Sequence, residues 1–138
     1  FVAHAFNAEA GGAAGAAFVA DYKAKTGRDP VFIEPQTAFG LELVGVALRQ
    51  SKAGSGGRLD VNGFARELET AKLKTPMGEM SMRAEDHQVQ LPLVVSVVSK
   101  DARYKADGTD MGFKPVRLFS AEEAAAPPQA NCKMQRPG

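Results

Sequence analysis

Residues 36–51 read QTAFGLELVGVALRQS, and their apolar pattern constrains the fold more than that of any other segment. We predict a helix that begins near Gln36 or Thr37 and ends at Ser51 or Lys52, before the small residues 53–57. Its apolar residues cover two sides, with Phe39, Leu43, Val46 and Ala47 on one and Leu41, Val44 and Leu48 on another. A helix that is apolar on most of its circumference must be covered on most of it.

The other segments of this short chain provide too little cover for that helix. Leaving Leu41, Val44 and Leu48 in water would forgo ~1.5–3 kcal/mol for each side chain. A net stability of ~5–15 kcal/mol cannot absorb many such losses. We therefore expect the chain to be a fragment of a larger structure that supplies the missing cover.

The segments before this helix predict a strand, a helix and a second short strand. Residues 1–6 are apolar and compatible with a strand. An apolar periodicity of i, i+3, i+4 and i+7 that starts at Gly15 indicates a helix, which Gly27 would end in a left-handed conformation. Val31–Ile33 is a short apolar run before Glu34–Pro35, and we interpret it as a strand.

The segments after the helix predicted from residue 36 to residue 51 or 52, which we call the central helix, continue the alternation of helices and strands. Asp60 is a suitable N-cap for a helix that ends near Ala71 or Lys72. The remaining predicted elements are a turn at Thr75–Gly78, strands at Glu79–Met82, Leu91–Ser99 and Phe113–Phe119, a brief helix that Ser120 opens with a capping box, and a tail over residues 129–138. This order predicts an α/β fold.

Composition excludes several classes of function. The 138 residues carry 17 Lys and Arg against 16 Asp and Glu, a net charge of +1, whereas domains that bind nucleic acid usually concentrate basic residues on one face. Two His and one Cys cannot complete a structural zinc site, and no motif indicates a cofactor. The longest apolar run falls far short of the ~20 residues of a membrane helix. The sequence begins at Phe1 rather than Met and contains no charged n-region, h-region and cleavage site, so we expect any targeting segment to be removed or to lie outside this sequence.

Four polar side chains are candidates for chemistry, but the sequence favours a role without chemistry for each of them. Asp86 and His87 could form an acid–base pair, but adjacent residues do not face each other on a strand. We interpret them, with Gln88, as a loop that satisfies backbone groups at the entry to a strand. His4 is interpreted as a half-buried histidine with satisfied hydrogen bonds. Cys132 lies in a proline-rich tail without a nearby histidine, which argues against a catalytic thiolate.

A candidate binding site lies where Val31–Ile33 meets the central helix. In open α/β sheets, ligands gather beyond the carboxyl ends of strands, where helix N-termini offer unpaired N–H groups to anions. Phe32 could supply an apolar wall there, and Glu34 could accept a hydrogen bond from an ammonium or hydroxyl group. The alternative is an ordinary connection between a strand and a helix.

An ordered set of short motifs resembles a known family. In chain order, the set comprises Tyr22–Pro30, Thr37–Val44, Ala47–Ser55, Thr75–Gly78 and Asp86–Gln88, the last followed by a valine-rich strand. This set resembles the C-terminal third of a periplasmic solute-binding protein of the branched-chain amino acid ABC transporter family, which has the periplasmic binding protein type I fold. The likeness covers nearly all of residues 1–120. The tail at residues 125–134 is similar to members from soil proteobacteria, some of which take up aromatic acids.

The resemblance implies two Rossmann-like α/β lobes joined by three crossing strands, of which this chain is a C-terminal fragment. Residues 1–87 would complete the first lobe after the second crossing. Residues 88–120 would form the third crossing and the closing strands of the second lobe, and residues 121–138 would be a C-terminal tail.

The same resemblance implies a function in binding and transport, without catalysis, cofactor or metal ion. A small carboxylate ligand, either a branched-chain amino acid or an aromatic acid, would lie between the lobes and contact Phe32, Glu34 and Gln36. Most other contacts would come from the remaining N-terminal part of the same protein, which could also hold a cysteine partner for Cys132. The protein would be periplasmic and would dock on the membrane permease of an ABC importer driven by a cytoplasmic ATPase.

Three alternatives stay open on the sequence. The first is a sensor of the same fold, for an amide or another ligand, that is not coupled to transport. The second is a small α/β enzyme that uses Asp86 and His87. The third is a purely structural or interaction domain.

Overall fold

The computed structural model describes residues 1–51, 57–131 and 133–135. Along the chain the elements are β1 (Val2–His4), α1 (Gly12–Thr26), α2 (Ile33–Gln50), α3 (Val61–Thr70), β2 (Lys72–Thr75), β3 (Gly78–Met82), β4 (Val89–Gln90), β5 (Leu93–Ser99), β6 (Gly112–Phe119) and α4 (Ala121–Ala124). The predicted α/β class is confirmed. Lys52 as a helix end, Cys132 and the last residues of the predicted tail lie outside the described residues.

Within the described ranges, the strands form two antiparallel sheets. In the first sheet, β5 lies between β1 and β6, with Val2 opposite Ser96 and His4 opposite Val94. In the second, β3 lies between β2 and β4. The register of β5 against β6 shifts between Val95 and Ser96, which marks a β-bulge at that point. The first sheet therefore joins the start of the chain to segments more than 90 residues later.

Three helix ends follow the capping residues that the sequence predicts. Gly27 adopts a left-handed conformation with φ of 79°, and its N–H donates to the Lys23 carbonyl. Asp60 caps α3 by accepting from the Gly63 N–H at 3.0 Å. Ser120 opens α4 with the predicted capping box, in which its side chain and that of Glu123 each accept from the other's backbone N–H.

The start of α2 differs from the prediction. The strand predicted at Val31–Ile33 is wrong, because the helix already begins at Ile33 rather than near Gln36 or Thr37. The sequence Glu34–Pro35 was interpreted as the end of a strand, but Pro35 lies in the first helical turn. A proline is tolerated there because the first N–H groups of a helix have no intrahelical partner.

Two strands were not predicted. β2 at Lys72–Thr75 falls where the end of α3 was expected, and the predicted Thr75–Gly78 turn joins it to β3. The predicted strand Leu91–Ser99 begins at Leu93, and the two-residue β4 precedes it.

The apolar core lies on one side of α2. Phe39, Leu43 and Ala47 are buried there, and α2 packs against α3 and β2. Leu41 and Leu48, on the other side of the helix, are 66% and 43% exposed. We call these two residues the exposed side of α2. Among the described residues, no helix is both long enough and apolar enough to cross a membrane.

Candidate functional site

Three aromatic rings meet at the start of α2. Phe32 is the N-cap residue of α2, and its half-buried ring lies edge-on to the rings of His4 and Phe113, with centroid separations of 5.6 Å and 6.4 Å. The rings of His4 and Phe113 are themselves 5.3 Å apart. We call His4, Phe32 and Phe113 the ring cluster. It joins α2 to the first sheet, so Phe32 reaches its place from a helix start and not from the end of a preceding strand.

A buried polar cluster supports the rings. His4, Asn7 and Ser96 form this polar cluster, and each is at most 5% exposed. His4 Nε2 lies 2.8 Å from Ser96 Oγ in a hydrogen bond, and Asn7 Nδ2 donates to the same hydroxyl at 3.3 Å. Asn7 Nδ2 also donates to the Phe113 carbonyl at 2.7 Å. The cluster therefore connects β1, the loop that follows it, β5 and β6.

His4 is buried and only partly satisfied. Its Nδ1 makes no hydrogen bond with any described residue, so the interpretation of His4 as a half-buried, satisfied histidine is wrong in both respects. Burial lowers the pKa of His4 below its ordinary value. The Phe6 backbone has a smaller effect that raises this pKa, although His4 Nδ1 forms no hydrogen bond of normal geometry with the described residues. Burial therefore favours the neutral form of the ring, which packs edge-on against Phe32 and tilted against Phe113 without a desolvated charge.

Glu34 connects α1 to α2. Its Oε1 accepts from Arg28 Nη2 at 2.6 Å and from the Tyr22 hydroxyl at 3.3 Å, and its Oε2 accepts from the Val31 N–H at 3.0 Å. Partial burial alone would raise the pKa of Glu34, but the hydrogen bond from Arg28 and those from the backbone hold it below its ordinary value. A ligand ammonium group at Glu34 would share the carboxylate with Arg28.

The three predicted site residues share the first turns of α2 but differ in their surroundings. Phe32 belongs to the ring cluster, Glu34 is engaged with Arg28, and Gln36 is exposed. Among the residues that the structure describes, no side chain caps the N-terminus of α2 with a hydrogen bond. The arrangement thus combines an apolar ring, an uncapped helix N-terminus and a carboxylate within one short segment.

Asp86 and His87 are directed to different partners. Asp86 accepts two hydrogen bonds from Arg83, at 2.9 Å and 2.6 Å, and a third from the Gln88 N–H. His87 has a positive φ of 55° and lies 2.8 Å from the buried Glu69 carboxylate. The loop interpretation therefore fits Asp86, whereas His87 pairs with a side chain of α3 and not with the local backbone. The two residues do not form an acid–base pair.

A cavity of about 320 Å³ lies beside this loop, between β4, the start of β5 and the segment that follows α4. Its lining includes Arg83, Gln88, Leu91 and Pro127. Arg83 Nη1 donates to the Ala126 carbonyl at 2.7 Å and so ties the loop to that segment. In the described part of the chain, no three His, Cys, Asp or Glu side chains are grouped to hold a metal ion.

The sequence interpretation did not identify Phe113 as a neighbour of Phe32, nor Asn7 and Ser96 as the side chains that form the polar cluster with His4. One local signal was available, because Ser96 is a polar residue inside the valine-rich run of β5. A fully buried serine in such a strand requires a hydrogen-bond partner. The identity of that partner depends on the pairing of β1 with β5, which no short-range pattern reveals.

Comparison with known proteins identifies the family. The profile of the family described as periplasmic binding protein matches residues 1–103. Leu/Ile/Val-binding protein homolog 4 of Brucella abortus is 49% identical over 133 residues, which cover 96% of this chain and 32% of that protein. The crystal structure of a leucine-, isoleucine-, valine-, threonine- and alanine-binding protein from Brucella ovis, in a closed conformation, has 48% identity and a TM-score of 0.92 over 99% of this chain and 35% of its own.

A more distant structure is a solute-binding protein of an ABC transporter from Rhodopseudomonas palustris BisB5 in complex with 3,4-dihydroxybenzoic acid. It has 26% identity and a TM-score of 0.67, over 86% of this chain and 30% of its own.

The chain spans about a third of the length of the curated relatives that it matches. It therefore corresponds to one part of a type I periplasmic binding protein fold, as the resemblance implied. The relatives are named as binding proteins, which are not enzymes. Because the family profile matches residues 1–103 of 138, the chain belongs to the periplasmic binding protein family.

Proposed function

We propose that the chain is part of the solute-binding protein of an ABC importer and that this protein binds a small aliphatic amino acid. The observation that carries the proposal is the likeness to the Brucella ovis binding protein, at 48% identity and a TM-score of 0.92 over 99% of the chain. The relative that holds an aromatic acid is more distant, at 26% identity and a TM-score of 0.67. We therefore favour a branched-chain or similar amino acid over an aromatic acid.

The chain would act within a longer polypeptide. Two observations support this: the chain spans 32% of the length of its relatives, and the exposed side of α2 leaves two leucines in water. Residues 1–87 would then complete one lobe, residues 88–120 would form a crossing and the closing strands of the other, and residues 121–138 would be the tail. The second crossing would lie near residues 1–6 and the third near residues 88–99. The pairing of β1 with β5 would set these two crossings side by side, which supports this division.

Phe32 would form the apolar wall of the ligand site. Its half-buried ring is backed by two other rings, which suits contact with an aliphatic side chain. Gln36, which is exposed on the next turn, would supply a polar contact. Glu34 would accept from the ligand ammonium while it also holds Arg28.

The protein would bind and release its ligand without changing it. Ligand contacts that exist only when the lobes are closed would shift the equilibrium toward the closed arrangement. The family description and the ABC transporter relatives support a periplasmic location and delivery to a membrane permease. A sensor of the same fold would share the ligand site but lack the permease, so genes for a permease beside this one would argue for transport.

Calorimetric titration of the complete protein tests the proposal. We expect binding of leucine, isoleucine, valine, threonine or alanine and no binding of 3,4-dihydroxybenzoate. If the protein bound 3,4-dihydroxybenzoate and none of these amino acids, its ligand would be an aromatic acid instead of an amino acid. The absence of any ligand-induced thermal shift would favour a structural or interaction domain. Conversion of a bound compound would favour an enzyme, and His87→Ala would then abolish turnover, whereas a binding protein should keep its affinity in that variant.

A further inference from the structure

The ring of Phe32 depends on other elements for its position. Phe32 contacts His4 of β1 and Phe113 of β6, at ring separations of 5.6 Å and 6.4 Å. A half-buried ring that serves as a wall must be confined to one rotamer before the ligand arrives, because ordering it on binding would reduce affinity. The side chains behind the ring therefore influence how well it fits a ligand.

Both rings behind Phe32 are tethered by the same polar cluster. Ser96 Oγ holds the His4 ring through Nε2 at 2.8 Å. Asn7 donates to that same hydroxyl and also holds the backbone of Phe113 at 2.7 Å. Ser96 has no exposed surface and lies at the β-bulge of β5, so solvent cannot substitute for its hydroxyl. Loss of this hydroxyl would remove the hydrogen bond that holds the His4 ring and, at the same time, one of the hydrogen bonds that anchor Asn7.

We propose that His4 and Ser96 are positioning residues for the ligand site, because they fix the Phe32 ring against which an aliphatic ligand side chain packs. The inference rests on the proposed function, and it adds two residues that the sequence did not assign to the site. Neither side chain would touch the ligand, since both are buried behind the ring. Their effect should therefore depend on the size of the ligand side chain, because alanine makes fewer contacts with an apolar wall than leucine does.

The test compares the affinities of the complete protein for L-leucine and L-alanine by calorimetry. In Ser96→Ala we expect leucine affinity to fall about tenfold, which corresponds to about 1.4 kcal/mol, and alanine affinity to change by less than about twofold. Phe32→Ala should give the same selective loss. If Ser96→Ala does not fold, Ser96→Cys has the same shape with a somewhat larger side chain, forms only weak hydrogen bonds and serves the same comparison.

Met80→Ala is the matched control for general destabilisation. Met80 is buried on β3, in the other sheet, so its truncation should lower the melting temperature without altering the ratio of the two affinities. An unchanged ratio in Ser96→Ala would overturn the inference and leave the proposed function intact. An unchanged ratio in Phe32→Ala would overturn both the inference and the proposed role of Phe32 as the apolar wall, while binding of an amino acid would still support a solute-binding protein. If the unmodified protein bound neither amino acid, the proposed function and the inference would both fail.

Discussion

The buried hydroxyl group of Ser96 forms hydrogen bonds with two other buried side chains. Its oxygen is the shared partner of His4 and Asn7, and all three side chains lie where water cannot replace a lost hydrogen bond. A buried polar group left without a partner costs about 1–3 kcal/mol. The three residues therefore depend on one another, and the sequence alone hides this because His4 and Ser96 are 92 positions apart.

His4 should make stability depend on pH. Burial lowers its pKa in the folded protein below the ordinary 6.5, so the unfolded chain binds the proton more readily. Stability should be complete above about pH 6.5 and decrease as the pH falls from there toward the folded pKa, by at most about 1.4 kcal/mol per pH unit. Urea unfolding at pH 7.5, 6.5 and 5.5 measures this.

The variant His4→Gln should lack that part of the pH dependence, since glutamine does not titrate. The matched control is His87→Gln, which removes the other histidine and should leave the contribution of His4 in place. Equal pH dependence in His4→Gln and the unmodified protein would contradict the assignment.

Helix caps were the most informative local signals for the elements. The left-handed Gly27, the Asp60 cap and the Ser120 capping box were all predicted, because each uses only residues within one turn. β2 was not predicted because its first residue was assigned to the end of α3, and β4 was not predicted because two residues carry too short a pattern. Both strands pair with β3. The start of α2 was misplaced because Pro35 is compatible both with the end of a strand and with a first helical turn.

Asp60→Ala should destabilise the complete protein by about 0.5–2 kcal/mol, since it leaves an N–H group of α3 without its partner. The carboxylate accepts from the Gly63 N–H at 3.0 Å, and a Cβ on Gly63 would lie 2.5 Å from the same carboxylate. The control is Asn62→Ala in the same turn, which removes an exposed side chain and should leave stability unchanged or slightly higher. Urea unfolding measures the stability of both variants. If Asp60→Ala were as stable as the unmodified protein, this result would argue against the cap.

The sequence predicts the fold class of the whole molecule, but it does not predict the tertiary contacts. The two-sided apolar pattern of α2 anticipated that this chain alone would leave one side uncovered. Leu41 and Leu48 are exposed there, whereas Val44, the third residue of that side, is half-buried. The ordered motifs anticipated the family. The ring cluster was not anticipated, because it assembles Phe32 with residues of β1 and β6 that meet only when the first sheet forms.

Leu41→Ala tests whether the exposed side of α2 is covered in the complete protein. Leu41 is 66% exposed in this chain, whereas Leu43, on the opposite side of the helix, is 2% exposed. If the rest of the polypeptide packs on Leu41, its truncation should cost about 2–5 kcal/mol, similar to Leu43→Ala, which serves as the buried reference. If Leu41 stays in water, the change should remain within about 0.5 kcal/mol, and the proposal of a longer polypeptide that covers this side would be wrong. Unfolding at two protein concentrations separates cover by the same chain, which is independent of concentration, from cover by a second copy, which is not.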